Sequence, residues 1–146
     1  MPTPGRRTLF LGLDGVMHHR NSNVAQFLSR MPLLEQTLGP SDIDIVVLSC
    51  WDFASDFDRL KAVFSPALRG RVVGRTVEET GALHKRFKEI QNWLRAHPAP
   101  DWRVLDSDPY DYPDTCTEFI RCSPAVGLTA TQAEAVKLWI QHPKGR

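Results

Sequence analysis

Asp14, Ser49, Asp106 and Asp108 are the side chains in this chain whose types and spacing could do chemistry on a phosphate. Asp14 follows the apolar run Thr8-Leu9-Phe10-Leu11-Gly12-Leu13, and Ser49 follows Ile43-Asp44-Ile45-Val46-Val47-Leu48. Asp106 follows Trp102-Arg103-Val104-Leu105, with Asp108 two residues further on. Short apolar runs of this kind read as strands buried on both faces. Ligands of open α/β sheets bind outside the carboxyl ends of the strands. Carboxylates that converge there with a hydroxyl suit a magnesium-assisted phosphate site, because magnesium prefers oxygen ligands and keeps part of its water shell. Asp and Ser after a strand are also ordinary turn residues, so spacing alone leaves both readings open.

The elements that would position these residues alternate along the chain. Asn23 to Leu38 carries Val24, Phe27, Leu28, Met31, Leu34 and Leu38 at helical spacing, with Pro32 expected to kink or divide the helix. Ser55 to Phe64 predicts a short helix capped by Ser55, and Arg71 to Gly74 a weak third strand. Leu83, Phe87, Ile90 and Leu94 form one stripe, which predicts a helix over 82–96 that ends before His97-Pro98. Phe119 to Cys122 reads as a fifth strand. A last helix opens after Gly127, with Thr129 and Gln132, or Thr131 and Glu134, as its capping box. The order β-α-β-α-β-α-β-β-α argues for an α/β fold whose mainly parallel sheet is covered on both faces.

Composition narrows the function class. With 146 residues and 42% hydrophobic content the chain reads as a single domain over 1–146, with tails at 1–6 and 142–146. The net charge of +1 removes the electrostatic argument for a strongly basic nucleic-acid binder. No apolar run approaches the roughly 18 residues needed to span a membrane. The N-terminal MPTPGRR lacks a signal-peptide apolar region, so a cytoplasmic protein is expected. Cys50, Cys116 and Cys122 have no CxxC spacing and read as reduced thiols rather than a zinc site or a disulfide framework.

Taken in order, LFLGLDGVMHH, VVLSCW, RFKEIQNWLRAHP, WRVLDSDPYDYP and VGLT resemble the haloacid dehalogenase (HAD) superfamily, in particular the compact, capless HAD domain of Swiss Army Knife RNA repair proteins. The resemblance runs from about residue 7 to about residue 141. It implies a Rossmann-like three-layer sandwich with a five-stranded sheet of order 3-2-1-4-5 and no large cap domain. It also implies magnesium, and phosphoryl transfer through an aspartyl-phosphate. The family's first motif is Asp-x-Asp-Gly, and here it reads Gly12-Leu13-Asp14-Gly15. Asp14 matches the general acid and base, whose backbone carbonyl also goes to the metal. Gly12 stands at the nucleophile position and can neither attack phosphorus nor bind an ion through a carboxylate.

Ser49 matches the hydroxyl that binds the transferring phosphate. Lys85 and Arg86 compete for the basic position. At about 100° per residue, Arg86 lies roughly 70° from the centre of the buried stripe and Lys85 nearly opposite it, so Arg86 is better placed to reach the sheet edge. Asp106 matches the metal-binding Asp of the fourth motif, Ser107 replaces its second carboxylate, and Asp108 is the candidate substitute. Two functions follow. One is a magnesium-dependent phosphohydrolase acting on a phosphorylated small molecule or, by family association, a nucleic-acid end. The other is a pseudoenzyme that binds phosphate, nucleotide or another protein. Among the remaining features, His18-His19 follows the first motif and could face a substrate, but no partner is spaced for a metal or a triad and it reads as a surface loop. Trp51, Trp93, Trp102 and Trp139 read mainly as packing, and Tyr110 and Tyr112 as exposed residues that could line a pocket mouth.

Overall fold

The computed structural model of the chain describes residues 2, 5–18, 28–49 and 56–142. Strands β1 (Arg7–Leu11), β2 (Ile43–Val47), β3 (Val72–Arg75), β4 (Trp102–Asp106) and β5 (Phe119–Arg121) form one sheet in the order β3-β2-β1-β4-β5. Every neighbouring pair is parallel. The helices are α1 (Met31–Leu38), α2 (Phe57–Ala62), α3 (Pro66–Arg69), α4 (Lys85–Ala96) and α5 (Ala130–Gln141). The parallel sheet was expected from the alternation of elements, and its Rossmann-like order 3-2-1-4-5 without a cap domain is the one the family resemblance implied. No helix among the described residues is long and apolar enough to cross a membrane.

The two faces of the sheet explain the continuous apolar runs. Side chains alternate across a strand. Leu9 and Leu11 of β1 therefore enter one core with Leu34, Leu38, Leu60, Leu68, Val136 and Trp139 from four helices. Phe10 enters the other core, with Val46, Val104, Ile90 of α4 and Tyr112. A strand buried on both sides has no polar face to display. Central β1 accordingly sets the register for both neighbours: Leu11 stands opposite Val47 and Leu105. Gly12 N–H continues the ladder to Leu105 O at 2.9 Å, and Leu48 N–H reaches Leu11 O at 2.9 Å. The residues after β1, β2 and β4 thus arrive together at one edge.

Several local expectations shift. The helix expected from Asn23 begins at Met31, because Pro32 occupies its first turn, where a missing N–H costs nothing. Leu28 before it takes a left-handed φ of 59°, and residues 21–27 lie outside the described set. Ser55 also lies outside it; the cap of α2 is Asp56, whose carboxylate accepts from Asp58 N–H at 2.9 Å. Helix α4 starts at Lys85, after a left-handed His84, so Leu83 falls off the stripe and is exposed. The one-turn helix α3 was not anticipated, although Ser65-Pro66 is a start signal. Thr129 and Gln132 form the expected capping box of α5, with Gln132 Oε1 accepting from Thr129 N–H at 3.0 Å.

Trp93 of α4 lies directly over Gly74 of β3, where a Cβ would overlap its ring. Gly74→Ala should therefore lower stability by about 1–3 kcal/mol through overpacking. Trp93→Leu in the same chain should recover part of that loss. Thermal melts followed by circular dichroism check both, and an unchanged midpoint for Gly74→Ala would contradict this packing.

Candidate active site

Gly12, Leu13, Asp14, Leu48, Ser49, Arg86 and Asp106 line one small cavity of about 70 Å³ at the carboxyl edge of the sheet. The structure thus brings together Gly12, Asp14, Ser49, Arg86 and Asp106. It does not bring in Lys85, whose ammonium pairs with Glu78 at 3.1 Å. Nor does it bring in Asp108, whose carboxylate accepts from Tyr110 N–H at 3.0 Å and caps the short 3-10 turn 109–111. Asp108 instead lines a wider recess of about 480 Å³ with Ser107, Pro109, Tyr110, Arg121 and Pro124.

On the β2 side, Ser49 closes a network around Glu89. Glu89 is buried on α4, and its carboxylate accepts from Ser49 Oγ at 2.8 Å, Thr76 Oγ1 at 3.0 Å and Glu79 N–H at 3.1 Å. Arg86, one turn earlier on the helix, donates from Nη1 to Glu89 at 3.2 Å and to Ser49 O at 2.6 Å, and also reaches Ser49 Oγ. Burial works against the Arg86 charge, but Glu89 and Asp106 outweigh it and raise its pKa. Among the described residues these bonds all leave from Nη1. A guanidinium has five N–H donors, so Arg86 retains others for an anion.

On the β1 side, Gly15 turns the chain with φ 77°. Ser107 Oγ donates to Asp14 O at 3.3 Å. The Asp14 side chain is half exposed, and its Oδ1 stands 2.8 Å from His18 Nε2. His18 is buried, not the surface residue expected, and its Nδ1 accepts from Leu28 N–H at 3.1 Å. A ring nitrogen that accepts carries no proton, so the proton lies on Nε2 and is donated to Asp14. His19, Cys50 and Trp51 lie outside the described residues.

On the β4 side, Asp106 is buried, with Oδ1 accepting from Ser107 N–H at 2.8 Å and Oδ2 from Tyr112 O–H at 2.7 Å. Burial pushes its carboxyl pKa up, against the opposing effect of these donors and Arg86. Tyr112 was expected to be exposed. It is buried, and burial together with Asp106 raises its phenol pKa, which keeps the donated proton in place. Tyr110 is exposed, as expected. The three tryptophans that are described pack: Trp102 edge-on to Phe10, Trp93 over Gly74, and Trp139 through Nε1 to Asp101 at 2.9 Å.

Magnesium, which the family resemblance implies, fits the donors present poorly. Gly12 offers no carboxylate, so of the family's positions only the Asp106 carboxylate and the Asp14 carbonyl remain, and the single bonds their oxygens accept from protein orient them without using up their lone pairs. Among the described residues no cluster of His, Cys, Asp and Glu is arranged to hold a metal ion. Sequence reasoning set His18 aside as surface loop, placed Tyr112 no deeper than a pocket mouth and missed the buried role of Glu89. The one advance signal was the Arg86-x-x-Glu89 spacing on α4.

A parallel sheet with a hydroxyl, an arginine and two acidic residues at the carboxyl edge defines a phosphohydrolase-type α/β domain of HAD topology. The family model for the HAD domain in Swiss Army Knife RNA repair proteins matches residues 8–133, and the chain belongs to that family. Comparison with curated proteins gave no match, and comparison with solved structures gave none.

Two outcomes test this geometry. Glu89→Ala leaves the Arg86 charge without its buried partner and should cost about 3–5 kcal/mol in a urea unfolding titration. For Asp106, a raised folded pKa means the native state holds the proton more tightly than the unfolded one. Its contribution is full below the ordinary carboxyl value of 3.8 and is lost as pH rises through the raised value. The stability advantage of wild type over Asp106→Asn should therefore shrink with rising pH from about 3.8 upward.

Proposed function

We propose that this chain is a HAD domain that recognises a phosphoryl group through Ser49 and Arg86 and does not form an aspartyl-phosphate. The observation that carries the reading is the Arg86 guanidinium held on Ser49 by buried Glu89, beside a position 12 that has no side chain. With the one Ser49 hydroxyl proton donated to Glu89, the charge-assisted donors for phosphate oxygens are the Arg86 N–H groups not used on Ser49 and Glu89, and the hydroxyl joins them by turning its proton from Glu89. A missing nucleophile commonly costs on the order of 10⁴–10⁶ in rate, so binding without turnover is the expected behaviour. The family's tie to RNA repair makes phosphorylated RNA ends a ligand class to test beside small phosphate esters.

One observation favours a second reading. The buried His18 orients Asp14 from 2.8 Å, as a base would be oriented to activate water. Direct attack by that water would release phosphate without a covalent intermediate.

Isothermal titration with inorganic phosphate and a 5′-phosphorylated RNA oligonucleotide, run beside phosphate release from an aryl phosphate, separates the two readings. The expected result is binding without release, with Ser49→Ala and Arg86→Ala each weakening binding about tenfold to a hundredfold. Phosphate release that disappears in Asp14→Asn would overturn the binding-only reading in favour of the second. Absence of both binding and release would remove the phosphate reading altogether.

A further inference from the structure

Glycine at position 12 is not demanded by the backbone. Among the described residues the glycines with left-handed φ are Gly5, Gly15, Gly39, Gly81 and Gly127, and Gly12 is not one of them. What demands it is Asp106. A Cβ on residue 12 would stand 2.8 Å from Asp106 Oδ1 and 3.2 Å from its Cγ. The end of a flexible side chain could swing away from such a contact. This carboxylate is held at both oxygens, by Ser107 N–H on Oδ1 and Tyr112 O–H on Oδ2. Tyr112 is itself fixed: its ring is buried and stacks on Phe119 of β5 at 4.3 Å and 16°.

We infer that Tyr112 is a positioning residue that holds Asp106 over Gly12 and thereby keeps position 12 from supplying a second carboxylate to a divalent cation. The chain of dependence runs from β5 through the Tyr112 ring to Asp106, and from Asp106 to the side chain that position 12 can carry. A carboxylate restored at position 12 would meet the pinned Asp106 before it could share an ion with it. Removing the Tyr112 hydroxyl frees Oδ2 and lets Asp106 turn aside. The two substitutions should therefore act together where each alone achieves little. This inference rests on reading the cavity as the family's reaction position. Its test uses the metal alone, so it can fail without touching phosphate recognition by Ser49 and Arg86.

The experiment is a titration with Mn²⁺, followed by electron paramagnetic resonance, of wild type, Gly12→Asp, Tyr112→Phe and the double variant. The expected result is no Mn²⁺ site in wild type, and binding by the double variant about tenfold or more tighter than by Gly12→Asp alone, the scale on which ligand-orienting groups act. Wild-type binding that is lost in Asp106→Asn would overturn the inference, as would Gly12→Asp binding as tightly as the double variant. Should Gly12→Asp fail to fold, a thermal-melt cycle with Gly12→Ala replaces it. The drop in midpoint caused by Tyr112→Phe should shrink by about half or more once Gly12→Ala has already displaced Asp106. Equal drops in both backgrounds would overturn the inference.

Discussion

Taking a carboxylate out of water is costly unless donors meet it, and this sheet edge does so twice. Glu89 is met by Ser49, Thr76, Arg86 and the Glu79 amide. Asp106 is met by Tyr112 and the Ser107 amide. These requirements tie α4 to the ends of β2 and β3, and the loop after β4 to its own strand. They also decide which groups remain for a ligand. Ser49 is already shared between Glu89 and Arg86, so the β2 end presents a preset hydroxyl–guanidinium pair rather than a lone serine.

The fold was legible because it depends on patterns that survive individual substitutions. The short apolar runs of β1, β2 and β4, alternating with amphipathic segments, specify a covered parallel sheet whatever residues stand at the strand ends, whereas the weaker β3 and β5 and the strand order were legible mainly through the family resemblance. The boundaries were less legible, for local reasons. Pro32 fits equally well in the middle of a kinked pattern or in the first turn of a helix, and only the tertiary position of Leu28 to Arg30 decides between them. Leu83 matched the stripe of α4 in spacing, yet the left-handed turn at His84 puts it outside the helix and in solvent.

The site was legible at the strand ends and opaque elsewhere. Asp14, Ser49 and Asp106 follow apolar runs, so their convergence comes from topology alone. Arg86 could be separated from Lys85 by its angle to the buried stripe, and the two side chains do point to different partners. Tyr112 and His18 carried no such signal. Each becomes a member of the site through a contact that depends on loop conformation: Tyr112 through the 3-10 turn that folds it under Asp106, His18 through the tight turn at Gly15. A polar residue in a Pro- and Asp-rich loop looks exposed until the loop closes.

The charge around the cavity then bears on what can enter it. Asp14, Glu89 and Asp106 face a single guanidinium, and three full negative charges would repel a phosphate. The structure reduces that repulsion by a different means at each carboxylate. Glu89 is spent on Arg86 and three neutral donors. Asp106 accepts from Tyr112 and the Ser107 amide, and burial raises its carboxyl pKa. Asp14 is half exposed, so solvent screens it, and it takes a proton donor from His18. An anion approaching from the Ser49 side therefore meets the arginine first and the carboxylates only behind their partners. Where a family site would recruit a cation to offset its acids, this edge offsets them in part with its own hydrogen bonds. In the proposed reading, that is what leaves the Arg86 guanidinium as the group that attracts phosphate.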